Sequence, residues 1–373
     1  LASLAALALP AGMAAAQSLT IGLASEPTAA DPHYHKVTTN DAFSAHIFES
    51  LINRNAQMEL IPGLAQSWRA VDDNTWELKL RQGVKFSNGE PFTSKDVLFT
   101  LCRVLNNETN VSRSYMEPAQ SFSDVQTPDD YTVIIKSERP IPTMPNELAR
   151  SLPIIWSGIA KFDKLRFAPK EGCGVTSPWP TVADFNTGKL SIGTGPYKLK
   201  SYVKGTGIEM ERNEAYWGSK PHWKSVKMVP VPNAGPRLTG LMSGDYDVIE
   251  SPAARDLPRI KDNSKLDFVA TPSTRLIFFQ PDAGRAQSPF AKAADGKNPL
   301  QDLRVRQAIN MAIDRKAIVQ RLMDGMATVA NQYMPTGMFG SLDKPAEIKF
   351  DPEAAKKLLA EAGYPQGFEL TLT

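Results

Sequence analysis

Apolar residues along this chain recur with two spacings, one suited to strands and one to helices. Residues 19–23 form a short, nearly continuous apolar run of the kind a buried strand carries. Over residues 75–81, Trp76, Leu78 and Leu80 alternate with Thr75, Glu77, Lys79 and Arg81, which predicts a strand with one face inward. Residues 43–52 instead place Phe43, Ile47, Phe48 and Leu51 at helical intervals and predict a helix. Thr93 with Asp96 three positions on reads as a capping box with the shorter acid. Val97, Leu101, Val104 and Leu105 then make one apolar stripe that Asn106 ends.

Further along, residues 303–313 and 318–323 predict two more helices, with Asp314 capping the second and Gly325 ending it. Asp351 caps the last helix, Pro352 takes its first position, Leu358 and Leu359 face inward, and Gly363 with Pro365 stops it. An alternating strand begins at Phe368 and reaches Thr373 without a partner after it. An unpaired edge is a liability, so the natural sequence is expected to continue past this point. Strands and helices mixed in this way predict an α/β or α+β protein. At 373 residues, two or three domains are expected.

Composition narrows the classes. The stretch 1–16 is almost wholly Leu and Ala and ends in three alanines before Gln17, which reads as the apolar core and cleavage site of a secretory signal whose leader is missing. Cleavage is expected after Ala16, and with no Cys following, the product is expected free in the periplasm rather than lipid-tethered. Lys and Arg number 42 against 40 Asp and Glu, a net charge of +2 with both signs interleaved, so there is no basic stripe and nucleic acid is a poor partner. The two cysteines, Cys102 and Cys173, are too far apart for a zinc knuckle or a redox pair. In an oxidising compartment they are expected to form one disulfide, two buried thiols being the alternative.

Catalytic signatures are missing: there is no Gly-x-Ser-x-Gly, no His-Glu-x-x-His and no phosphate-cradling Gly-rich loop with Lys. The four histidines stand at 33, 35, 46 and 222, and His33 with His35 lacks a third ligand for a metal. No enzyme activity, cofactor or metal is expected.

Several blocks occur together in order. Pro62-Gly63-Leu64-Ala65-Gln66-Ser67-Trp68 leads into Trp76-Glu77-Leu78-Lys79-Leu80-Arg81-Gln82-Gly83-Val84-Lys85-Phe86-Ser87-Asn88-Gly89, followed by Pro91-Phe92-Thr93-Ser94-Lys95-Asp96-Val97. Gly193-Thr194-Gly195-Pro196-Tyr197, Arg212-Asn213-Glu214-Ala215-Tyr216-Trp217-Gly218 and Asp302-Leu303-Arg304-Val305-Arg306-Gln307-Ala308-Ile309 come next. Leu358-Leu359-Ala360-Glu361-Ala362-Gly363-Tyr364-Pro365 completes the set. In these blocks the chain resembles the family 5 extracellular solute-binding proteins of ABC importers, which include dipeptide- and oligopeptide-binding proteins. Ser87 stands where many members have His. Asn88-Gly89 reads as a tight turn, Gly193, Gly195 and Pro196 as a sharp corner, and Tyr216-Trp217 as a core plug.

The resemblance implies a two-lobed periplasmic-binding-protein-like α/β fold. Lobe I would comprise an inner domain, 17–54 plus 191–272, and an inserted domain, 55–190; lobe II would begin at Ser273 and be incomplete at 373. It further implies that the lobes close over an unaltered short peptide or similar small solute and that the loaded protein, a monomer, delivers it to a membrane permease. Members with this fold also bind opines, nickel chelates, haem or oligosaccharides. Presentation to a sensor, or more distantly an exported hydrolase, is the alternative. His35, Lys36 and Thr38 are expected to line the cleft, joined by Glu250 and Ser251 after a predicted strand at 247–249 and by Tyr115. Arg275, at the crossing into lobe II, is expected to meet a ligand carboxylate or to form an interdomain salt bridge. The acidic residue that peptide-binding relatives use for the ligand's amine would lie beyond Thr373.

Overall fold

The computed structural model describes residues 18–106, 115–149, 152–270, 275–336, 338 and 340–372. The chain divides into two compact units, one ending at Pro252 and the other beginning at Ala253. The stretch 1–16 read as an export signal and Ser273, the expected start of lobe II, lie outside the described residues.

The strands of the first unit are β1 (Ser18–Leu23), β2 (Ile52–Arg54), β3 (Leu60–Pro62), β4 (Ala65–Asp72), β5 (Thr75–Leu80), β6 (Phe122–Asp129), β7 (Thr132–Ser137), β8 (Tyr197–Val203), β9 (Gly207–Arg212), β10 (Ser225–Pro230) and β11 (Val248–Ile249). One sheet has the order β11-β1-β10-β9-β8. In it β1 runs parallel to both β10 and β11, whereas β8, β9 and β10 are antiparallel neighbours. A second sheet, β4-β5-β7-β6, is antiparallel throughout, and β2 pairs with β3. The alternation over 75–80 does what it predicts: Leu78 and Leu80 are buried while Lys79 between them is exposed. The turn at Asn88-Gly89 closes with Gly89 at φ +92° and its N–H donating to Phe86 O at 2.9 Å.

Helix α1 (Thr38–Ser44) carries the chain from the first sheet, and α2 (Ser94–Asn106) lies between the two cores of this unit. Asp96 accepts from the Thr93 N–H at 2.9 Å, the returning half of a capping box, and also from the Ser157 N–H at 2.8 Å. Val97, Leu98, Leu101, Cys102 and Val104 pack in a core with β4, β5 and β7, while Phe99 packs in the other core with β1, β8, β9 and β10. Cys102 and Cys173 are joined, with Cα atoms 6.1 Å apart and a separation of 71 residues. A loop of that size corresponds to about 4 kcal/mol in the chain-entropy account of cross-links.

The helix predicted over 43–52 is shorter and shifted. α1 ends at Ser44, and Ile52 opens β2. Phe43, Ile47, Phe48 and Leu51 are all buried, so the spacing reports the core correctly while the backbone departs from the helix. The cause is tertiary pairing. His46 O accepts from Tyr197 N and Ile47 O from Gly195 N, each at 2.9 Å, which takes those carbonyls away from a continuing helix. The expected corner at Gly193 and Gly195 is therefore also a site of close approach. A Cβ on Gly193 would lie 1.9 Å from Ile47 O, and one on Gly195 2.7 Å from the same atom.

In the second unit, helices Leu303–Ala312 and Pro352–Glu361 begin at Asp302 and Asp351, whose carboxylates accept N–H bonds from Arg304 and Ala354. The predicted helix at 318–323 starts earlier, at Arg315, capped by Asp314 on Ala317 N–H at 2.8 Å, and continues as a wider turn over Ile318–Leu322. Of the strand predicted from Phe368, β13 (Glu369–Leu370) pairs with β12 (Ala291–Lys292), and Phe368 packs against the small core of Ala291, Leu300 and Val305.

Gly193→Ala is expected to cost more than about 2 kcal/mol, because its methyl group would collide with the Ile47 carbonyl, which cannot move away without straining its bond from Gly195 N. Gly235, in the helix Ala234–Ser243, has open space around a built Cβ. Gly235→Ala is expected to be close to neutral, the helix-propensity gain being offset by crowding of the new β-carbon against the Pro236 ring. Urea denaturation of both variants checks the contrast.

Candidate functional site

Because β1, β10 and β11 are parallel, their carboxyl ends lie along one edge of the sheet, the place where open α/β sheets present ligand loops. The loops leaving that edge are cross-linked. Val231 N donates to Leu23 O at 2.9 Å and Glu250 N to Gly22 O at 3.0 Å, while Ala24 N donates to the Glu250 carboxylate at 3.2 Å.

The loop after β1 carries the predicted residues and is held at almost every step. Tyr202 OH donates to Pro27 O, Thr28 N to Asn40 Oδ1 and Ala30 N to Asn186 Oδ1, each at 2.8 Å. Asp31 then meets Arg103 in a two-pronged ion pair, Nη1 to Oδ1 at 2.9 Å and Nη2 to Oδ2 at 2.6 Å, with both side chains 0% exposed. Arg103 Nη2 also donates to Pro180 O at 3.0 Å, and the guanidinium sits 4.7 Å from the Phe185 ring centroid. A planar group with fixed donors is what such a buried pair requires.

His33 is fixed by the same guanidinium. Arg103 can only donate, so the 2.8 Å contact of its Nη1 makes His33 Nδ1 the acceptor, and Nε2–H donates to Pro153 O at 2.7 Å. The imidazole is therefore neutral. Burial, and then the Arg103 charge, push its pKa down to about 3, against a smaller opposing pull from Asp31. This assignment removes His33 from any metal reading: both ring nitrogens are in use.

Beyond His33 the chain turns outward. His35 and Lys36 are half-buried, and Thr38, the first residue of α1, is exposed. Lys36 Nζ lies 4.9 Å from the Tyr115 ring centroid, and His33 meets the same ring edge-on at 5.6 Å. Tyr115 OH donates to Asp41 Oδ1 at 3.1 Å. Burial raises the Asp41 carboxyl, opposed by Lys36, and raises the Tyr115 hydroxyl far above its usual range. At 2% exposure, Tyr115 offers a ligand little surface of its own; its contacts are with Lys36, His33 and Asp41. Glu250 is half-buried and Ser251 exposed, the latter with φ +46°. Arg275 belongs to the other unit and is exposed. The edge thus brings together the loop 24–37 and Glu250, with Lys36 and Tyr115 in mutual contact.

Sequence reasoning missed Arg103, Asp41 and Glu49. A signal existed for Arg103: it is a lone cation inside the run Leu98-Phe99-Thr100-Leu101-Cys102-Arg103-Val104-Leu105. Glu49 accepts from Tyr216 OH at 3.0 Å and Trp217 Nε1 at 2.7 Å, which accounts for Tyr216-Trp217 as packing. A shallow hollow lined by Gln66, Arg81, Gln82, Gly83, Val84 and Trp217 shares no residue with the edge.

The chain belongs to the bacterial extracellular solute-binding proteins of family 5: the family profile described as "Bacterial extracellular solute-binding proteins, family 5 Middle" matches residues 59–373. The dipeptide-binding protein of Escherichia coli (strain K12) is 28% identical over 352 residues, 90% of this chain and 61% of its own length. Heme-binding protein A of Haemophilus influenzae is 28% identical over 350 residues, 89% of this chain and 59% of its own. The chain spans about three fifths of the length of these curated relatives. In fold it is similar to the ABC transporter-associated periplasmic binding protein DppA from Helicobacter pylori in complex with peptide STSA, with a TM-score of 0.69 at 22% identity, covering 94% of this chain and 67% of that one.

Arg103→Met would leave the Asp31 carboxylate buried without its counter-charge and is expected to cost on the order of 3–5 kcal/mol. Adding Asp31→Asn is expected to return part of that loss, which a double-mutant cycle by chemical denaturation measures. The pH dependence has a definite sign. His33 stays neutral in the fold while the unfolded chain takes up a proton below about 6.5, so its contribution is present above that pH and is lost as pH falls toward 3. Asp41, Glu49 and Asp96, raised by burial, act in the opposite sense. His33→Gln keeps one acceptor and one donor without titrating. Between pH 6.5 and 4 it is expected to lose less stability than the wild type, by on the order of 3 kcal/mol at most, in denaturation curves at the two pH values.

Proposed function

We propose that this chain is the solute-capturing subunit of an ABC importer, which takes up a short peptide or similar small solute in the periplasm and passes it unaltered to a membrane permease. The observation that carries the reading is the carboxyl edge of β1, β10 and β11, from which the braced loop 24–37 leaves tied to Glu250 through Ala24 N, with Lys36 farther along that loop lying over Tyr115. Family membership supports capture without chemistry, and the relatives named for dipeptide and heme supply the first solutes to try.

In this reading His35, Lys36, Thr38, Glu250 and Ser251 contact the solute, and Tyr115 acts behind them by steadying Lys36 and Asp41. Arg275 stays among the contacts on the family resemblance alone. For the division of lobe I into 17–54 plus 191–272 and 55–190, the two sheets lend support as far as Ile249, their strands coming from 18–23 with 197–249 and from 65–137 respectively, whereas the residues from Ala253 onward fall in the second compact unit. The protein works as a monomer, exported with cleavage after Ala16.

Calorimetry on the full-length protein against L-alanyl-L-alanine, longer peptides and haemin is expected to show one-to-one binding of a peptide, with mass spectrometry recovering it intact. Lys36→Ala is expected to weaken that binding about tenfold with little change in melting temperature. A chemically altered peptide, or no binding of any of these solutes, would refute the reading. N-terminal sequencing of the secreted protein is expected to begin at Gln17.

A further inference from the structure

The loops leaving β10 and β11 are tied together by a side chain that carries no signature in the sequence. Arg237, in the helix Ala234–Ser243, is 3% exposed, and its guanidinium donates to four backbone carbonyls. Nε reaches Glu250 O at 2.8 Å, Nη1 reaches Val231 O at 2.6 Å and Pro232 O at 3.1 Å, and Nη2 reaches Ser251 O at 2.8 Å. Gly22 in β1 leaves the space for this stem: a Cβ there would stand 3.4 Å from Arg237 Cγ and 3.3 Å from Ile249 Cγ2.

All four acceptors are neutral, so these bonds give the buried charge no ion-pair energy. They give geometry. A guanidinium presents five N–H donors in one plane and can reach carbonyls on two loops at once; a lysine ammonium presents its three donors from a single atom. The loop it grips is also strained. Ser251 has φ +46°, a left-handed conformation that costs a non-glycine residue about 1 kcal/mol or more and persists only where surrounding bonds enforce it. Arg237 on the Ser251 and Glu250 carbonyls supplies that enforcement, together with Glu250 N on Gly22 O and Ala24 N on the Glu250 carboxylate.

We propose that Arg237 is a positioning residue for solute capture, holding Ser251 in its left-handed conformation and Glu250 against the loop after β1 so that both face the solute in one fixed arrangement. This rests on the reading of that edge as the solute site. Arg237 touches the solute through no atom of its own; its effect passes through the two carbonyls it fastens.

Hydrogen–deuterium exchange on the ligand-free, full-length protein tests the hold directly, because the amides of Ala24, Val231 and Glu250 report the three cross-links. Arg237→Lys is expected to speed exchange at these amides at least tenfold while leaving the β8–β9 amides unchanged. Titration with L-alanyl-L-alanine is expected to show at least a tenfold weaker affinity. Ser251→Gly is expected to melt no lower than wild type, since glycine accepts the positive φ, yet to exchange faster at Glu250 and bind the dipeptide more weakly; Ser251→Ala, which keeps the strain and loses only the hydroxyl, is expected to keep wild-type exchange there. A merely structural role would move melting temperature and affinity together. Unchanged exchange at the three amides, equal loosening of β8 and β9, or unweakened binding despite faster exchange would overturn the proposal. If wild type itself fails to bind the dipeptide, the peptide reading falls separately and the exchange result still decides whether Arg237 holds these loops. Should Arg237→Lys not fold, Arg237→Gln, which carries no buried charge and too few donors to span both loops, carries the same comparison.

Discussion

The ion pair between Arg103 and Asp31 is the constraint on which the first unit's architecture turns. It joins residues 72 apart in sequence, and the same guanidinium reaches Pro180 O, 77 residues away; through His33 it also fixes Pro153 O, 120 residues from that histidine. Four chain segments are thereby given one arrangement. Removing two charges from water costs several kcal/mol for each ion, and only close two-pronged geometry with further bonds offsets that. Here the further bonds exist, and their directions matter as much as their energy. An apolar trio of the same volume would pack as well but would not dictate how the loop after β1 enters α1.

Arg103 is buried because α2 is buried. One face of that helix packs in the core with β5 and β7, and Phe99 reaches the other core, under β1 and β10. A helix shared by two cores has no solvent face over these turns, so any charge on it must be neutralised from within. The adjacent disulfide adds to this. Cys102 precedes Arg103, and Cys173 lies a few residues before Pro180, so the cross-link and the ion pair fasten the same two segments.

Much of this was legible in the sequence where local pattern decides the outcome. Period two over 75–80, the Asp caps at 314 and 351, and the Asn88-Gly89 turn are each decided by neighbouring residues, and each is found. The segment 43–52 shows the limit. Its apolar spacing marked the buried side chains correctly, but the backbone follows Gly195 and Tyr197, about 150 residues away, whose N–H groups claim the carbonyls a helix would have used. The stripe read on α2 was also too narrow: Leu98, Phe99, Thr100 and Arg103 are buried as well, because a second core approaches from the other side. Periodicity reports that a face is covered, not how many partners cover it.

The candidate site was less legible for a different reason. Lys36, Glu250 and Ser251 could be picked out because family blocks and a predicted strand end point to them. What holds Glu250 and Ser251 in place is made of backbone carbonyls, and every residue carries one. The acceptors of Arg237 are Val231, Pro232, Glu250 and Ser251, yet any four residues on the same path could serve. Only the donor has a side-chain identity, and a lone arginine in an amphipathic helix reads as a solvated charge. A sheet edge whose loops are fastened by buried cations to main-chain oxygens can therefore vary the residues that face a solute without disturbing their support.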